Sequence, residues 1–409
     1  MAGNDLDGGV GSAQWDFINP LDPTFRANPH SALKRLRAEE PVSRAREGFW
    51  RLCRYEDCVR LLTRVDTGVR APDGTFPGEA ILPGGRAEFL LQQDAPNHTR
   101  LRRLMIKGFT PRAIDRLRQK LTEFIDGLVD NLVMRGEMDV ITDLALPVPS
   151  FAICELLGVP FRDNALFADW TADATHLLAS ALAPVEVIER GQLALGQLQE
   201  YFARLIVERR ENLGDDVLSA LIRAEDAGDK LEVSELLAQC RGLLIAGFET
   251  TIGLIGNGML ALLNNPAEFR RLGQNPDLIG SAIEECLRFD GPIILTPRYL
   301  REDAVFAGEL IPQGAQVWAM LLAANRDPER FPNADQFDIA RMDNQHIAFG
   351  GGAHFCLGAH LARMEAALTI EAIVRRFQGL ALVSDGLEWG RSLFRVLRRL
   401  PVRFEGVRS

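Results

Sequence analysis

Cys356 sits in the run Phe349-Gly-Gly-Gly-Ala-His-Phe-Cys-Leu-Gly358. Glycines at 350, 351 and 352 give a loop whose backbone can turn at positive φ or approach a flat partner closely. The residues from Leu357 to Phe377 have helical character, so Cys356 falls at a helix N-terminus. Exposed N–H groups and the helix dipole stabilise a thiolate there. A thiolate with a glycine two residues on suits an axial bond to haem iron, and cysteine ligation to haem favours O–O cleavage. Taken alone, a glycine-rich loop with a buried cysteine is more often only a turn. A second group with chemical potential is Ala246-Gly-Phe-Glu-Thr-Thr251. It lies in a stretch, Gly242 to Leu263, where Glu249 is the only charged residue. On a helix, Leu243, Ala246, Gly247 and Thr250 fall at i, i+3, i+4 and i+7 and share one face. The ordinary fate of a helical Thr is a hydroxyl bonded back to its own helix.

These residues need long elements to hold them, and the sequence supplies helices. Arg112 to Met134 repeats apolar residues at the spacing of one helix face. Similar patterns run over Leu193–Arg210, over Ser234–Gln239 into the apolar stretch, and over Pro276–Phe289 and His360–Phe377. Extended runs are short and few: Phe49–Cys53, Thr296–Leu300, Val317–Leu322 and Leu400–Phe404. Arg70–Pro96, rich in Gly, Pro and Asp, reads as a long loop. The expectation is a mainly α fold with a small β component, one domain over residues 1–409, with 1–15 a flexible N-terminus.

Composition narrows the function. With 47% hydrophobic and 25% charged residues, the 409-residue chain can bury a large core. Lys and Arg number 46 against 56 Asp and Glu, a net charge of −10 that disfavours nucleic acid as a partner. The six cysteines contain no CxxC pair, which argues against zinc ribbons, cubane clusters and thioredoxin-type sites. The first residues lack the pattern of a secretory signal, so a cytoplasmic location is expected. Gly242–Leu263 could span a bilayer by length, but Glu249, Thr250, Thr251 and Asn257 favour a helix buried in a protein core, without stable membrane insertion.

The cysteine segment resembles the signature of the cytochrome P450 family of haem-thiolate monooxygenases, in the soluble bacterial form. It fits Phe-Gly-x-Gly-x-His-x-Cys-x-Gly at Phe349, Gly350, Gly352, His354, Cys356 and Gly358. The resemblance implies a single-domain helical bundle around haem b (iron protoporphyrin IX), with small antiparallel sheets and Cys356 as the axial iron ligand. Glu285-Cys-Leu-Arg288 resembles the family's Glu-x-x-Arg motif, whose two members are helix neighbours at i and i+3. The family's buried triad is then completed by Arg341, and Asn325–Pro332 resembles its meander. Ala246–Thr251 resembles the oxygen-activating stretch, implying catalytic roles for Glu249 as proton relay and Thr250 as hydrogen-bonding partner of oxygen or water. Asp94–Arg102 resembles the haem-contacting helix, so His98, Arg102, Arg298 and His354 are expected to hold the propionates.

The implied reaction inserts one atom of O₂ into a C–H bond or an alkene, with electrons from a separate ferredoxin and ferredoxin reductase. Lys or Arg at 100, 102, 103, 107, 112, 116, 118 and 120, against one acid, Asp115, form a basic strip. The strip is expected to dock an acidic electron donor, the bland alternative being a solvated helix face. By family analogy the pocket draws on Phe76, Leu82, Leu177 to Leu182 (Leu178 among them), Leu243, Ala246, Gly247, Ile293–Leu295 (Ile294 among them), Leu393 and Phe394. These are almost all apolar, which suits a terpene, steroid, fatty acid or macrolide-like skeleton. Rival readings are a haem-thiolate peroxygenase or isomerase that needs no O₂, and a non-catalytic haem protein.

Overall fold

The apolar stretch is the greater part of a 32-residue helix, Val233–Asn264, which runs through the middle of the protein. This central helix starts where Glu235 accepts a hydrogen bond from the Glu232 N–H (3.1 Å), satisfying a donor the helix itself leaves open. It is long and apolar enough to cross a membrane, yet 72% of its most apolar window is buried inside the fold. Leu244, Phe248, Ile252, Ile255, Met259 and Leu262 are buried along one side of it. Each side chain of this kind contributes about 1.5–3 kcal/mol when taken from water. The computed structural model describes residues 18–64, 66–77, 82, 88–109, 111–178, 183–226, 231–383, 386–390 and 393–407, so the expected flexible segment 1–15 lies outside the described residues.

Helices Pro147–Leu157, Asn164–Thr175, Val185–Glu211, Ile279–Asp290 and Ala359–Arg376 pack around this axis, and Pro111–Leu132 packs against Pro147–Leu157 and Ala359–Arg376. Small residues on the central helix let its neighbours approach. A Cβ on Gly256 would stand 2.6 Å from the Ile141 side chain, and one on Gly253 would stand 2.7 Å from Pro292. Ile141 belongs to a widened helical turn, Ile141–Ala145, that the amphipathic pattern does not announce.

The β component is divided. A five-stranded sheet has the order Val42–Arg44, Trp50–Leu52, Gln316–Ala319, Thr296–Leu300 and Thr67–Gly68. Trp50–Leu52 and Gln316–Ala319 pair in parallel, and the other neighbours are antiparallel. The run read as one strand at Val317–Leu322 divides: the strand stops at Ala319 and a short helix begins at Leu321. Pro401–Arg403 pairs with both Ala381–Leu382 and Glu137–Asp139, and a hairpin joins Glu388–Trp389 to Leu397–Arg399. Apolar residues gather around the central helix, between the five-stranded sheet and helix Tyr55–Thr63, and beneath the first helices.

Candidate active site

The cysteine loop is shaped by its glycines. Gly350 and Gly352 adopt φ of 71° and 63°, a region that side chains with a Cβ rarely visit. A Cβ on Gly352 would also lie 2.3 Å from the Leu62 carbonyl oxygen. The Cys356 N–H donates to the Phe349 carbonyl (3.0 Å), closing the loop before the helix Ala359–Arg376 begins. Burial pushes the Cys356 thiol up, while the Gly358 N–H and the charges of Arg102 and Arg363 act in the opposite direction. Such a sulfur becomes a thiolate readily only when a cation binds it.

Behind the loop, Arg363 clamps Glu284 with two hydrogen bonds (2.6 and 2.8 Å) and lies 4.5 Å from the centre of the Phe349 ring. His346 Nε2 also meets Glu284, at 3.1 Å. Burial works against the Glu284 carboxylate, but the Arg363 and His346 contacts outweigh it and hold its pKa down to about 2. Arg363, Glu284 and His346 thus tie the cysteine helix to helix Ile279–Asp290, a link that sequence reasoning missed because no spacing rule joins positions so far apart.

Glu285 and Arg288 on that helix have fully buried side chains. Arg288 donates from Nε and Nη2 to the two Glu285 oxygens (2.7 and 2.8 Å). It also donates to the carbonyls of Asn325, Ala334 and Gln336 at 2.8–3.0 Å. Arg341 Nε reaches Glu285 at 3.2 Å, and the Asp338 N–H and Asn344 amide complete the shell at 2.9 and 3.1 Å. One buried carboxylate is therefore shared by two guanidiniums and two amide donors, which fixes the chain leading into the cysteine loop.

On the other side of the loop His98, Arg102, Arg298 and His354 converge. The His98 and His354 rings are 4.1 Å apart, centre to centre. His98 Nε2 and His354 Nδ1 are buried without a hydrogen-bond partner among the described residues. Arg298 is 6% exposed and donates to the neighbouring Thr296 hydroxyl (3.3 Å) and Pro297 carbonyl (2.7 Å). Arg102 donates to the Phe355 carbonyl (2.8 Å). Burial first, then Arg298 and His98, push the His354 pKa down to about 3. Burial similarly lowers Arg298 to about 10, with Asp94 opposing. A cluster of crowded donors of this kind is built for an anion that supplies acceptors.

The central helix carries its small residues, Ala246 and Gly247, beside Glu249 and Thr250. Thr250 donates its hydroxyl back to the Ala246 carbonyl (2.7 Å), and Thr251 does the same to Gly247 (3.2 Å). Adjacent back-bonds of this type bend helices. Thr250 thus takes the ordinary fate of a helical threonine in this structure, while its oxygen keeps lone pairs for another donor. Glu249 is 7% exposed, on a different face of the helix.

Of the apolar pocket candidates, Leu243 and Ile294 are buried, and Phe76, Leu82, Ala246, Gly247, Leu393 and Phe394 are half-buried. Leu178 is 52% exposed, and it is its neighbour Leu177, at 6%, that turns inward in this segment. Residues 179–182 lie outside the described residues. Phe89 went unnoticed in the sequence: its ring occupies the space where a Gly242 Cβ would stand, 2.1 Å away. In the basic strip, Arg100, Arg116 and Lys120 pair with Glu235, Asp215 and Glu155. Arg103, Lys107 and Arg118 are exposed, and the Arg112 side chain lies outside the described residues.

A half-buried cysteine in a glycine-shaped loop, an adjoining anion cradle and a long apolar helix with small residues at 246 and 247 suit the haem-thiolate oxidoreductase class. The sequence model of "Cytochrome P450" matches residues 70–383, and the chain belongs to the cytochrome P450 family of monooxygenases. It is 39% identical over 405 residues to "Cytochrome P450 107B1" of Saccharopolyspora erythraea, covering 94% of this chain and 96% of that one. It is also 39% identical over 405 residues to the "Vitamin D(3) 25-hydroxylase" of Pseudonocardia autotrophica, covering 96% and 97%. The crystal structure of P450BioI in complex with an acyl carrier protein ligated to hexadec-9Z-enoic acid superposes with a TM-score of 0.87. It is 36% identical and covers 93% of this chain and all of that one. A haem-thiolate cofactor is what the family implies, and the residues present fit it. The orphaned histidine nitrogens and Arg298 are suited to its carboxylates, and the Cys356 sulfur to its iron.

Proposed function

We propose that this protein is an O₂-dependent monooxygenase that hydroxylates or epoxidises a lipophilic small molecule, using haem b held by Cys356 and electrons from a ferredoxin served by its reductase. The observation that carries this is the anion cradle of His98, Arg298 and His354 beside the cysteine loop. The balanced reaction takes substrate, O₂, two electrons and two protons to oxygenated product and water. Haem, when bound, supplies the oxygen-activating chemistry. His98, Arg102, Arg298 and His354 hold its carboxylates, and the Gly358 N–H tempers the charge on sulfur. Leu243, Ala246, Gly247, Ile294 and Phe394 shape the space where substrate lies and exclude water from it. Glu249 would take protons from solvent, and Thr250 would exchange its bond to Ala246 for one to an ordered water, so protons arrive in an ordered way.

The substrate class we favour is a large apolar skeleton: steroid-like, terpenoid, macrolide-like or a long acyl chain. The apolar lining supports it, as do relatives named for vitamin D(3) hydroxylation and bound to a fatty-acyl carrier. The exposed Arg103, Lys107 and Arg118, from the basic strip whose member Arg102 touches the cysteine loop, are the proposed landing site for the ferredoxin. The test is turnover of lipophilic candidates that displace iron-bound water in an optical titration. Product dependent on O₂ and a ferredoxin system supports the proposal. Product from peroxide alone, with none from that system, replaces it with the peroxygenase reading.

A further inference from the structure

The structure assigns Phe89 as a specificity-determining residue that limits how far a substrate can extend along the central helix, away from Thr250. This inference deepens the proposed function and rests on the reading that Thr250 faces the reacting oxygen. From Ala238 to Met259 the central helix is buried throughout, except at Ile245, Ala246, Gly247 and Thr250. Ala246, Gly247 and Thr250 share one face, so open space reaches the helix there. Gly242 continues that face one turn toward the helix start, four residues before Ala246. It lies eight residues, about 12 Å along the axis, from Thr250.

Gly242 is buried, although it has no side chain with which to fill a gap. Its backbone is helical and its φ is not positive, so conformational freedom does not explain a glycine at this point. Close approach does. A Cβ on Gly242 would stand 2.1, 2.3 and 2.3 Å from Cδ2, Cε2 and Cγ of Phe89. The ring therefore takes the place that a side chain at 242 would occupy, and helix and ring together make one wall. Phe89 is only half-buried, so this wall is not sealed into the core.

The ring is held from both ends of its segment. Gln239, fully buried one turn before Gly242, accepts from the Leu90 N–H (3.1 Å) and donates to the Glu88 carbonyl (2.8 Å). These two bonds flank Phe89 and fasten its backbone to the central helix. Gln92 accepts from the Phe89 N–H itself (3.1 Å). Farther on, Asp94 accepts from the N–H groups of Val69 and Arg70 (2.8 and 3.2 Å) and pairs with Arg301 (2.8 Å). A side chain on a segment fastened in this way discriminates by size, because the wall cannot retreat without breaking buried hydrogen bonds.

The test uses the haem-loaded protein and 1-alkylimidazoles from methyl to dodecyl, whose free ring nitrogen binds the iron while the chain must find room beside it. Binding is read from the optical shift of the haem. In wild type, affinity should rise about fourfold with each methylene buried and then stop rising at one chain length. Phe89→Ala and Phe89→Leu cut the wall back by different amounts, and whichever keeps the thiolate–carbon monoxide band is compared. In that variant the rise should continue for two or more further methylenes, a gain of more than about tenfold for the longest chains. Binding of 1-methylimidazole should stay as in wild type. Adding Gly242→Leu to the Phe89 variant refills the space from the helix side and should restore the wild-type limit. An unchanged limit in the Phe89 variants with 1-methylimidazole binding intact, or a longer limit that Gly242→Leu does not reverse, overturns the inference and leaves the proposed function standing. A wild type in which no alkylimidazole shifts the haem band overturns both.

Discussion

Arg288→Met is the sharpest probe of how the fold holds the cysteine loop. The guanidinium makes two hydrogen bonds to Glu285 and one each to the carbonyls of Asn325, Ala334 and Gln336, all without solvent. Breaking a buried ion pair costs about 3–5 kcal/mol. The low end applies here, because Arg341, the Asp338 N–H and Asn344 remain on Glu285. Three orphaned carbonyl contacts add roughly 0.5–1.5 kcal/mol each. The total, about 4.5–7.5 kcal/mol, is comparable to the roughly 5–15 kcal/mol that holds an entire domain together. Most of the variant should therefore fail to form haem-loaded protein, and what forms should unfold at much lower denaturant. Arg341→Met removes a longer contact of 3.2 Å from a side chain that is 10% exposed, and should cost about 1–2 kcal/mol. The assay is denaturant unfolding of the haem-loaded proteins, alongside the ratio of thiolate-type haem to total protein. An Arg288→Met protein within about 1 kcal/mol of wild type, or an Arg341→Met protein less stable than it, would refute the reasoning.

Thr250→Ala should keep substrate binding but divert electrons to hydrogen peroxide, measured as peroxide against product; unchanged product yield contradicts the role given to Thr250. Gly242→Ala puts a methyl group where the Phe89 ring now lies, 2.1 Å from the nearest ring atom. Overpacking of this kind costs about 1–3 kcal/mol, so substrate affinity in an optical titration should change by severalfold or more. In haem-free protein the His354 pKa, about 3, lies below its ordinary 6.5. The unfolded chain then binds more protons, so stability present above pH 6.5 is lost as pH falls toward 3, by up to about 1.4 kcal/mol per pH unit. Haem carboxylates raise that pKa again, so the loaded protein should show a shallower slope in urea titrations at stepped pH. Charge reversal at Arg103 should slow reduction by an acidic ferredoxin, with a gap to wild type that narrows as salt rises.

Local signals were readable where one force decided them. The strand Thr296–Leu300 and helix Ala359–Arg376 follow from alternation and from helix periodicity, within two residues of where they were expected. The central helix was legible because apolar residues with an isolated acid suit a buried core. The split of Val317–Leu322 was not, since a short apolar run fits strand and helix alike. Strand pairing was also hidden: nothing local aligns Trp50–Leu52 with Gln316–Ala319, because that register is set by packing. Within the site, Glu285 and Arg288 are neighbours on one helix and can be read as a pair. Glu284 with Arg363 and His346, and Arg26 with the hairpin at Gly390, join distant positions through tertiary contacts alone. The Leu178 placement shows the remaining limit: a family analogy names a segment, but which of two adjacent leucines faces inward depends on how the turn after Thr175 closes.

The central claim is that Cys356 binds the haem iron as a thiolate. Its most direct measurement is the carbon monoxide difference spectrum of the reduced, haem-loaded protein, for wild type and for Cys356→Ser. Wild type should show the band of thiolate ligation, and Cys356→Ser should lose it. A wild-type protein that takes up haem without that band, or a Cys356→Ser protein that keeps it, would contradict the account.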